Sequence, residues 1–347
     1  TNISKHTKSS QPFSGTDSIF EQLLNLRMNI VFFGTPEFAV ESLDAIVKAG
    51  FDVVAAVTMP DKPAGRGHRM YQSPVKEYAV ANGIKLLQPV RLKDPGFLDE
   101  LRALGADLFV VIAFRMLPEA VWQMPPKGTF NLHASLLPRY RGAAPINWAV
   151  MTADTETGVT TFFLKHEIDT GDIISQERVE ILPSDNVEDV HDRLMHLGAR
   201  LTVNTVRAIA DGTVTTIPQE RMLTSGETPT PAPKIFKDTC RIDWYRPARQ
   251  LHNHVRGLSP YPCAWTELFR NGSDTPVATL KIQATGHTGH KSCAPAGTVI
   301  AGNGTLEIVC GDGQTLEICR LQPSGKRPME AAEFLRGARL EGDYTCR

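Results

Sequence analysis

The sequence predicts an α/β fold, a mostly parallel sheet wrapped by helices, followed by a smaller β-barrel. Three observations lead there. Residues 28–34 (MNIVFFG) and 51–57 are apolar strand-like runs, and between them Phe38, Leu43, Ile46 and Val47 recur at helical spacing. Two strands joined through a helix lie parallel. Residues 106–113 (ADLFVVIA) are apolar without interruption, the pattern of a strand buried on both faces. Beyond Lys234 the texture changes to short strands punctuated by Gly and Asn turns, which suits a small barrel.

Taken in order, the first 27 residues are rich in Ser, Thr and Gln. They are expected to form a disordered, dispensable tail without the order of a secretory signal. Met28 opens the folded pattern, and a first domain is expected over residues 28–216. Thr35 should cap a helix beginning at Pro36, with Gly50 ending it. The turn after the first strand, GTPEFA, has neither GxGxxG nor GxxxxGK[ST], so neither a dinucleotide nor a P-loop nucleotide is indicated. Residues 59–72 (MPDKPAGRGHRMYQ) interrupt the repeat with Lys62, Arg66, His68 and Arg69 against the single Asp61. Such a loop is commonly a mobile surface feature, and its charge and glycines also suit a phosphate backbone. Ser73-Pro74 and Asp94-Pro95 start helices that close near Gly83 and Gly105, with a strand at 84–88 between them. Further strands are expected at 158–164 and 173–181, then a long helix at 186–212.

Residues 217–235 are rich in Pro, Ser and Thr and read as a linker. A second domain is expected over 236–347. It holds a helix around 251–257 and strands at 263–269, 278–283, 297–301, 306–310 and 316–321. His252 and His254, two apart on that helix, face different ways and are not a metal pair.

Hydrophobic content of 41% and charged content of 22% describe an ordinary globular chain. No apolar run reaches the length of a membrane span. The six cysteines show no CxxC spacing, so no metal site is expected and a reducing cytoplasm is the default. A net charge of −1 hides an asymmetry. Up to Pro233 there are 22 Lys and Arg against 27 Asp and Glu, net −5; from Lys234 on, 15 against 11, net +4. That is a modest hint of a polyanionic partner for the second half.

The densest chemistry lies at residues 129–146 (TFNLHASLLPRYRGAAPI). Asn131 and His133 are two apart, so on a strand both point to one side and place an amide donor and an imidazole in one space. Ser135, Leu136, Leu137 and Pro138 make a short apolar edge stopped by proline. Arg139 and Arg141 follow, then Gly142-Ala143-Ala144, too small to obstruct anything approaching the backbone, and Pro145 suits a new helix start. Taken alone, the pair is most simply a satisfied core histidine beside a strand-end asparagine.

The flanking residues change that reading. NLHASLLPRYRGAAPI resembles the hallmark of the folate-dependent formyltransferases, and its RGAAPI ending looks most like the branch that formylates methionyl-tRNA. The similarity runs over nearly the whole chain from Met28 onward. It implies a Rossmann-like formyltransferase domain followed by an OB-like barrel. It also implies 10-formyltetrahydrofolate as formyl donor, no metal, and initiator methionyl-tRNA as acceptor, in a cytoplasmic monomer that serves translation initiation. Residues 165–172 (KHEIDTGD) are by themselves a turn; the resemblance assigns Asp169 as the catalytic carboxylate. It places Phe114, Met116 and Leu117, with Ser135, Leu136, Leu137 and Pro138, along the folate pocket. It brings the basic loop, Lys62, Arg66, His68 and Arg69, to the acceptor end of the tRNA. Arg115 could pair with a folate carboxylate or point to solvent.

Asn131 and His133 would then donate to the carbonyl oxygen as it becomes negative, and Asp169 would accept the amine proton. Two other readings compete. One is a formyltransferase for another amine, such as glycinamide ribonucleotide or an amino sugar nucleotide, or a formyl-folate hydrolase. The other is a non-catalytic RNA-binding protein, against which the trio Asn131, His133 and Asp169 argues.

Overall fold

The computed structural model describes residues 28–64, 69–223, 226–338, 340 and 343–347; the expected tail and the positions of Arg66 and His68 lie outside them. Chain order in the first half is β1 (Asn29–Gly34), α1 (Glu37–Lys48), β2 (Asp52–Val57), β3 (Lys62–Ala64), β4 (Arg69–Tyr71), α2 (Pro74–Ala81), β5 (Leu86–Leu87), α3 (Pro95–Ala103) and β6 (Leu108–Ile112). Then come α4 (Glu119–Trp122), β7 (Thr129–His133), β8 (Arg141–Gly142), α5 (Pro145–Met151), β9 (Glu156–Phe163), β10 (Ile173–Glu180) and α6 (Val187–Ala210).

Seven of these strands form one sheet in the order β10-β9-β7-β6-β1-β2-β5. From β7 to β5 all neighbours are parallel, and β9 and β10 add an antiparallel edge. Alternation along the strands sorts the core into two layers. Ile30, Phe32, Val110, Phe130 and Leu132 pack beneath α1 and α6, whereas Val31, Phe33, Phe109 and Val111 meet Phe97 and Leu101 of α3. The chain leaves β1 toward β2 on one side and returns to β6 on the other. The crevice at the carboxyl ends of β1 and β6 is therefore the switch point at which open parallel sheets bind ligands.

The caps expected at Ser73 and Asp94 are present, each side chain accepting from the backbone N–H three residues on. Asn186 and Asp189 form a reciprocal capping box at the start of α6. Thr35 is not a cap. Pro36 stays extended (ψ 175°) and occupies the cap position itself, so the helix begins one residue later than expected, and the Thr35 hydroxyl is buried without a partner among the described residues.

The second half holds β11 (Pro231–Ala232), α7 (Ala248–Leu258), β12 (Ala264–Arg270), β13 (Ala278–Lys291), β14 (Val299–Gly302), β15 (Thr305–Val309), β16 (Gln314–Pro323), β17 (Met329–Glu330), α8 (Ala331–Ala338) and β18 (Tyr344–Cys346). An antiparallel sheet in the order β14-β15-β16-β13-β12-β18, with β17 beside β16, curls until Thr298 bridges Thr345, giving a nearly closed barrel around Leu280, Ile282, Ile308, Ile318 and Leu321. β13 is far longer than the six residues its apolar run suggested. Register shifts at Ile282/Ala284, Ala284/Thr285 and His287/Lys291 carry it through Gly286 and Gly289, and such bulges supply the bend a barrel needs.

The two halves meet where α5 packs on α7. Asn147 Nδ2 donates to Gly257 O at 2.8 Å, and Trp148 Nε1 to Pro233 O at 2.8 Å. A side chain at Gly257 would run into Met151 and the Asn147 carbonyl. The segment joining the halves is no loose tether: Ile217 pairs with Ile173 in both directions, and β11 pairs parallel with β8.

Candidate active site

β7 delivers the first two site residues. Phe130 and Leu132 go into the core beneath α6, so Asn131 and His133 share the opposite face. The Asn131 carboxamide is half-buried and makes no hydrogen bond to any described residue, which leaves a free donor. His133 is 6% exposed. Its Nε2 lies 2.8 Å from Tyr140 O; a carbonyl only accepts, so Nε2 carries its hydrogen and only Nδ1 is left for the site. Nδ1 lies 3.8 Å from Asp169 Oδ2, beyond hydrogen-bond distance but within reach of its charge.

Asp169 comes from the turn between β9 and β10. Its backbone is in the left-handed region (φ 56°), a conformation that costs a non-glycine residue ~1–2 kcal/mol. The turn is held shut around it: Phe163 N donates to Asp172 O, Thr170 Oγ1 donates to Glu167 O, and a Cβ on Gly171 would overlap the Phe163 carbonyl. Gly142 N donates to Asp169 Oδ2 at 3.0 Å. Oδ2 is thus fixed between the Gly142 amide and the imidazole, while Oδ1 has no partner among the described residues and remains able to accept a proton.

The loop from Ser135 to Arg141 is braced from beneath. Thr160, wholly buried, donates to Ser135 O at 2.6 Å and accepts from Leu137 N and Gln176 Nε2. Ser135 Oγ donates to Arg139 O at 2.6 Å. The Tyr140 hydroxyl reaches Thr152 and Asp154, and burial pushes its pKa up. Tyr140 itself sits at φ 59°, which turns its carbonyl back onto His133.

A free amide, a fixed imidazole and a half-free carboxylate lie together at the carboxyl end of a parallel sheet, groups able to donate to an oxygen and to accept a proton. Residues 28–206 match the family model described as formyl transferase, and residues 234–339 match the one described as formyl transferase, C-terminal domain. The chain belongs to the formyl transferase family. Among its relatives is a methionyl-tRNA formyltransferase of Bacteroides fragilis, 54% identical over 313 residues that cover 90% of this chain and 96% of the relative. One from Porphyromonas gingivalis is 48% identical over 323 residues, covering 91% and 97%. Among solved structures, a sugar 3N-formyl transferase crystallised with dTDP and 5-N-formyl-THF superposes with TM-score 0.60 at 20% identity, over 86% of this chain and 99% of that one. HypX from Aquifex aeolicus, in complex with tetrahydrofolic acid, superposes with TM-score 0.60 at 15% identity, over 91% and 48%. At such identities the superpositions establish the fold.

In this formyl transferase the residues expected along the folate pocket divide in two. Met116 is 71% exposed and, with Val90, Leu92, Leu98, Arg115 and Pro118, lines a cleft of about 840 Å³. Phe114 is half-buried edge-on against Phe33, and Leu136 is half-buried. Leu117, Ser135, Leu137 and Pro138 are buried, so they brace the wall and leave its surface to their neighbours. Arg115 is half-buried at the edge of this cleft: its guanidinium donates to the carbonyls of Pro89 and Val90, its Nε has no partner among the described residues, and burial lowers its pKa.

Of the basic loop, Lys62 is exposed on the β3–β4 hairpin, and β4 carries Arg69 with exposed Met70 and Tyr71 beside it. The loop's one acid, Asp61, turns inward to Lys76 and Gln88, which hold its carboxyl below the usual range. Sequence reasoning missed Thr160, Tyr140 and Gln219. Two adjacent threonines in the apolar run GVTTFFL were a signal for the first; nothing in the pattern marked the other two.

Proposed function

We propose that this protein transfers the formyl group of 10-formyltetrahydrofolate to the amino group of initiator methionyl-tRNA, giving N-formylmethionyl-tRNA for translation initiation, as a cytoplasmic monomer. The observation that carries the chemistry is the division of labour on Asp169: Oδ2 is fixed by Gly142 N and faces His133, while Oδ1 is free. Oδ1 accepts the proton of the attacking amine, directly or through one water. The Asn131 amide donates to the oxygen on which negative charge develops, beside the Nδ1 edge of His133, and loss of such a donor costs about 10²–10³ in rate. The donor supplies an activated formyl carbon and a nitrogen leaving group; Met116, Phe114 and Leu136 offer it apolar contact, with Leu117, Ser135, Leu137 and Pro138 behind them. Among the described residues, no helix is long and apolar enough to cross a membrane.

Two surfaces suit the tRNA. The β3–β4 hairpin combines Lys62 with exposed Met70 and Tyr71, and the sequence of this segment also carries Arg66, His68 and Arg69. At the end of the linker Lys234 lies over Phe236, which is 62% exposed, and just beyond it Lys237 and Arg241 lie over the Trp265 ring at 5.2 and 5.1 Å. Cations interleaved with aromatic faces are what unpaired nucleotides stack on.

The test is formyl transfer from 10-formyltetrahydrofolate to charged initiator tRNA, with glycinamide ribonucleotide and an amino sugar nucleotide as parallel acceptors. Product on the tRNA alone is expected. Transfer to a small amine instead, or free formate with no acceptor modified, overturns the assignment.

A further inference from the structure

Gln219 lies in the segment between the domains, at the start of a short 3₁₀ turn (Gln219–Met222), yet it is wholly buried. Its Nε2 donates to Asp169 O and to Gly171 O, both at 2.8 Å. Its Oε1 accepts from Arg141 Nε at 3.0 Å and Nη2 at 2.7 Å. The carboxamide thus uses both N–H groups and both lone pairs. Arg141 in turn adjoins Gly142, whose N–H holds Asp169 Oδ2, and its own N–H donates to Thr230 O in the same linker. The contacts close a circuit: Asp169 backbone carbonyl, Gln219, Arg141, Gly142 and back to the Asp169 carboxylate.

We propose that Gln219 is a positioning residue for Asp169: the linker's carboxamide holds the turn in its left-handed conformation and so aims the free Oδ1 at the substrate amine. This rests on the reading of Asp169 as the proton acceptor. A buried glutamine with all four bonds made serves that purpose well, because no charge is buried and no rotamer freedom is left. Gln219→Met keeps the length and removes all four bonds. Gln219→Glu keeps the Arg141 contact but sets a carboxylate against two carbonyls that accept only. Arg141→Lys loosens the other side without emptying the buried pocket.

The experiment measures kcat, the KM for 10-formyltetrahydrofolate, the KM for charged tRNA and Tm for these variants of the full chain, alone and combined with Asp169→Asn. Expected are a 10–100-fold fall in kcat for Gln219→Met and Gln219→Glu, and a smaller fall for Arg141→Lys. The KM for the folate should stay within twofold, and in the Asp169→Asn background Gln219→Met should change kcat by less than twofold. A residue that merely supports the fold would cost the same factor in both backgrounds, and that additivity overturns the proposal. Wild-type kcat in Gln219→Met beside an inactive Asp169→Asn also overturns it. Wild-type kcat in Asp169→Asn overturns the reading of Asp169 itself and the proposal with it. If Gln219→Met does not fold, the same comparison is made with Arg141→Lys, and an additive loss there is equally fatal.

Discussion

Gly142→Ala should cost about tenfold in kcat while leaving the folate site intact. Gly142 is at φ 128°, a region that glycine alone adopts readily and that costs another residue ~1–3 kcal/mol. A Cβ there would lie 2.5 Å from Ala232 O and 3.1 Å from Ala232 C, backbone atoms of β11. Since real Cβ contacts essentially never fall below 3.0 Å, β8 and β11 must part by about 0.5 Å. That shift takes the Gly142 N–Asp169 Oδ2 bond from 3.0 Å toward ~3.5 Å, the edge of a useful hydrogen bond. Misplacement by ~1 Å at a catalytic group costs about 10²-fold, so half of that predicts roughly tenfold. A factor of ten is about 1.4 kcal/mol, at the lower end of what a hydrogen bond to a charged acceptor contributes. The assay is steady-state formylation of charged tRNA with Tm measured in parallel, where the backbone strain should appear as a loss of a few degrees. Wild-type kcat and Tm together would falsify the claim that this glycine sets the carboxylate.

Four further outcomes are expected. Asn131→Ala should lower kcat by about 10²–10³ with little change in Tm, because its amide makes no hydrogen bond to any described residue; an unchanged kcat removes it from the oxyanion site. Thr160→Val leaves Ser135 O, Leu137 N and Gln176 Nε2 without their buried hydroxyl and should destabilise by ~1–3 kcal/mol in denaturant melts. Arg66→Ala, judged from the composition of its loop, should raise the KM for charged tRNA and leave folate affinity unchanged; equal loss of both defeats the assignment. His252 has its pKa pushed down to about 4, first by burial and then by His287 and Arg256. The unfolded chain therefore binds a proton there at higher pH than the folded one. The stability this residue contributes is complete above about pH 6.5 and is lost as pH falls toward about 4, and His252→Gln should flatten that part of the Tm profile.

Much of the fold was legible because its signals are local. β1 from Ile30 on and the whole of β6 are apolar runs, Ser73-Pro74 and Asp94-Pro95 announce their helices, and two-residue spacing puts Asn131 and His133 on one face. Signals that depend on partners far along the chain were not legible. Gly286 and Gly289 read as breaks, yet β13 passes through them because β16 pairs with it across bulges. Gln219 has no periodicity to betray it: its burial comes from Asp169 and Arg141, 50 and 78 residues away. That Ser135 and Leu137 are buried could not be read from the sequence either, because it depends on Thr160 and Gln176 of the neighbouring strands.

Helix α5 has a consequence of its own. It is seven residues long, a rod of about 10 Å at 1.5 Å per residue. One end begins three residues after the Gly142 amide that holds the carboxylate; the other is wedged against Gly257 of the barrel domain. A tilt of about 5° at one end of a ~10 Å rod moves the other by about 1 Å, which is the scale on which acyl-transfer geometry is won or lost. One short helix is thus all that separates the barrel domain from the backbone amide that holds the carboxylate, so a substitution that tilts α5 at Gly257 would be felt at Asp169.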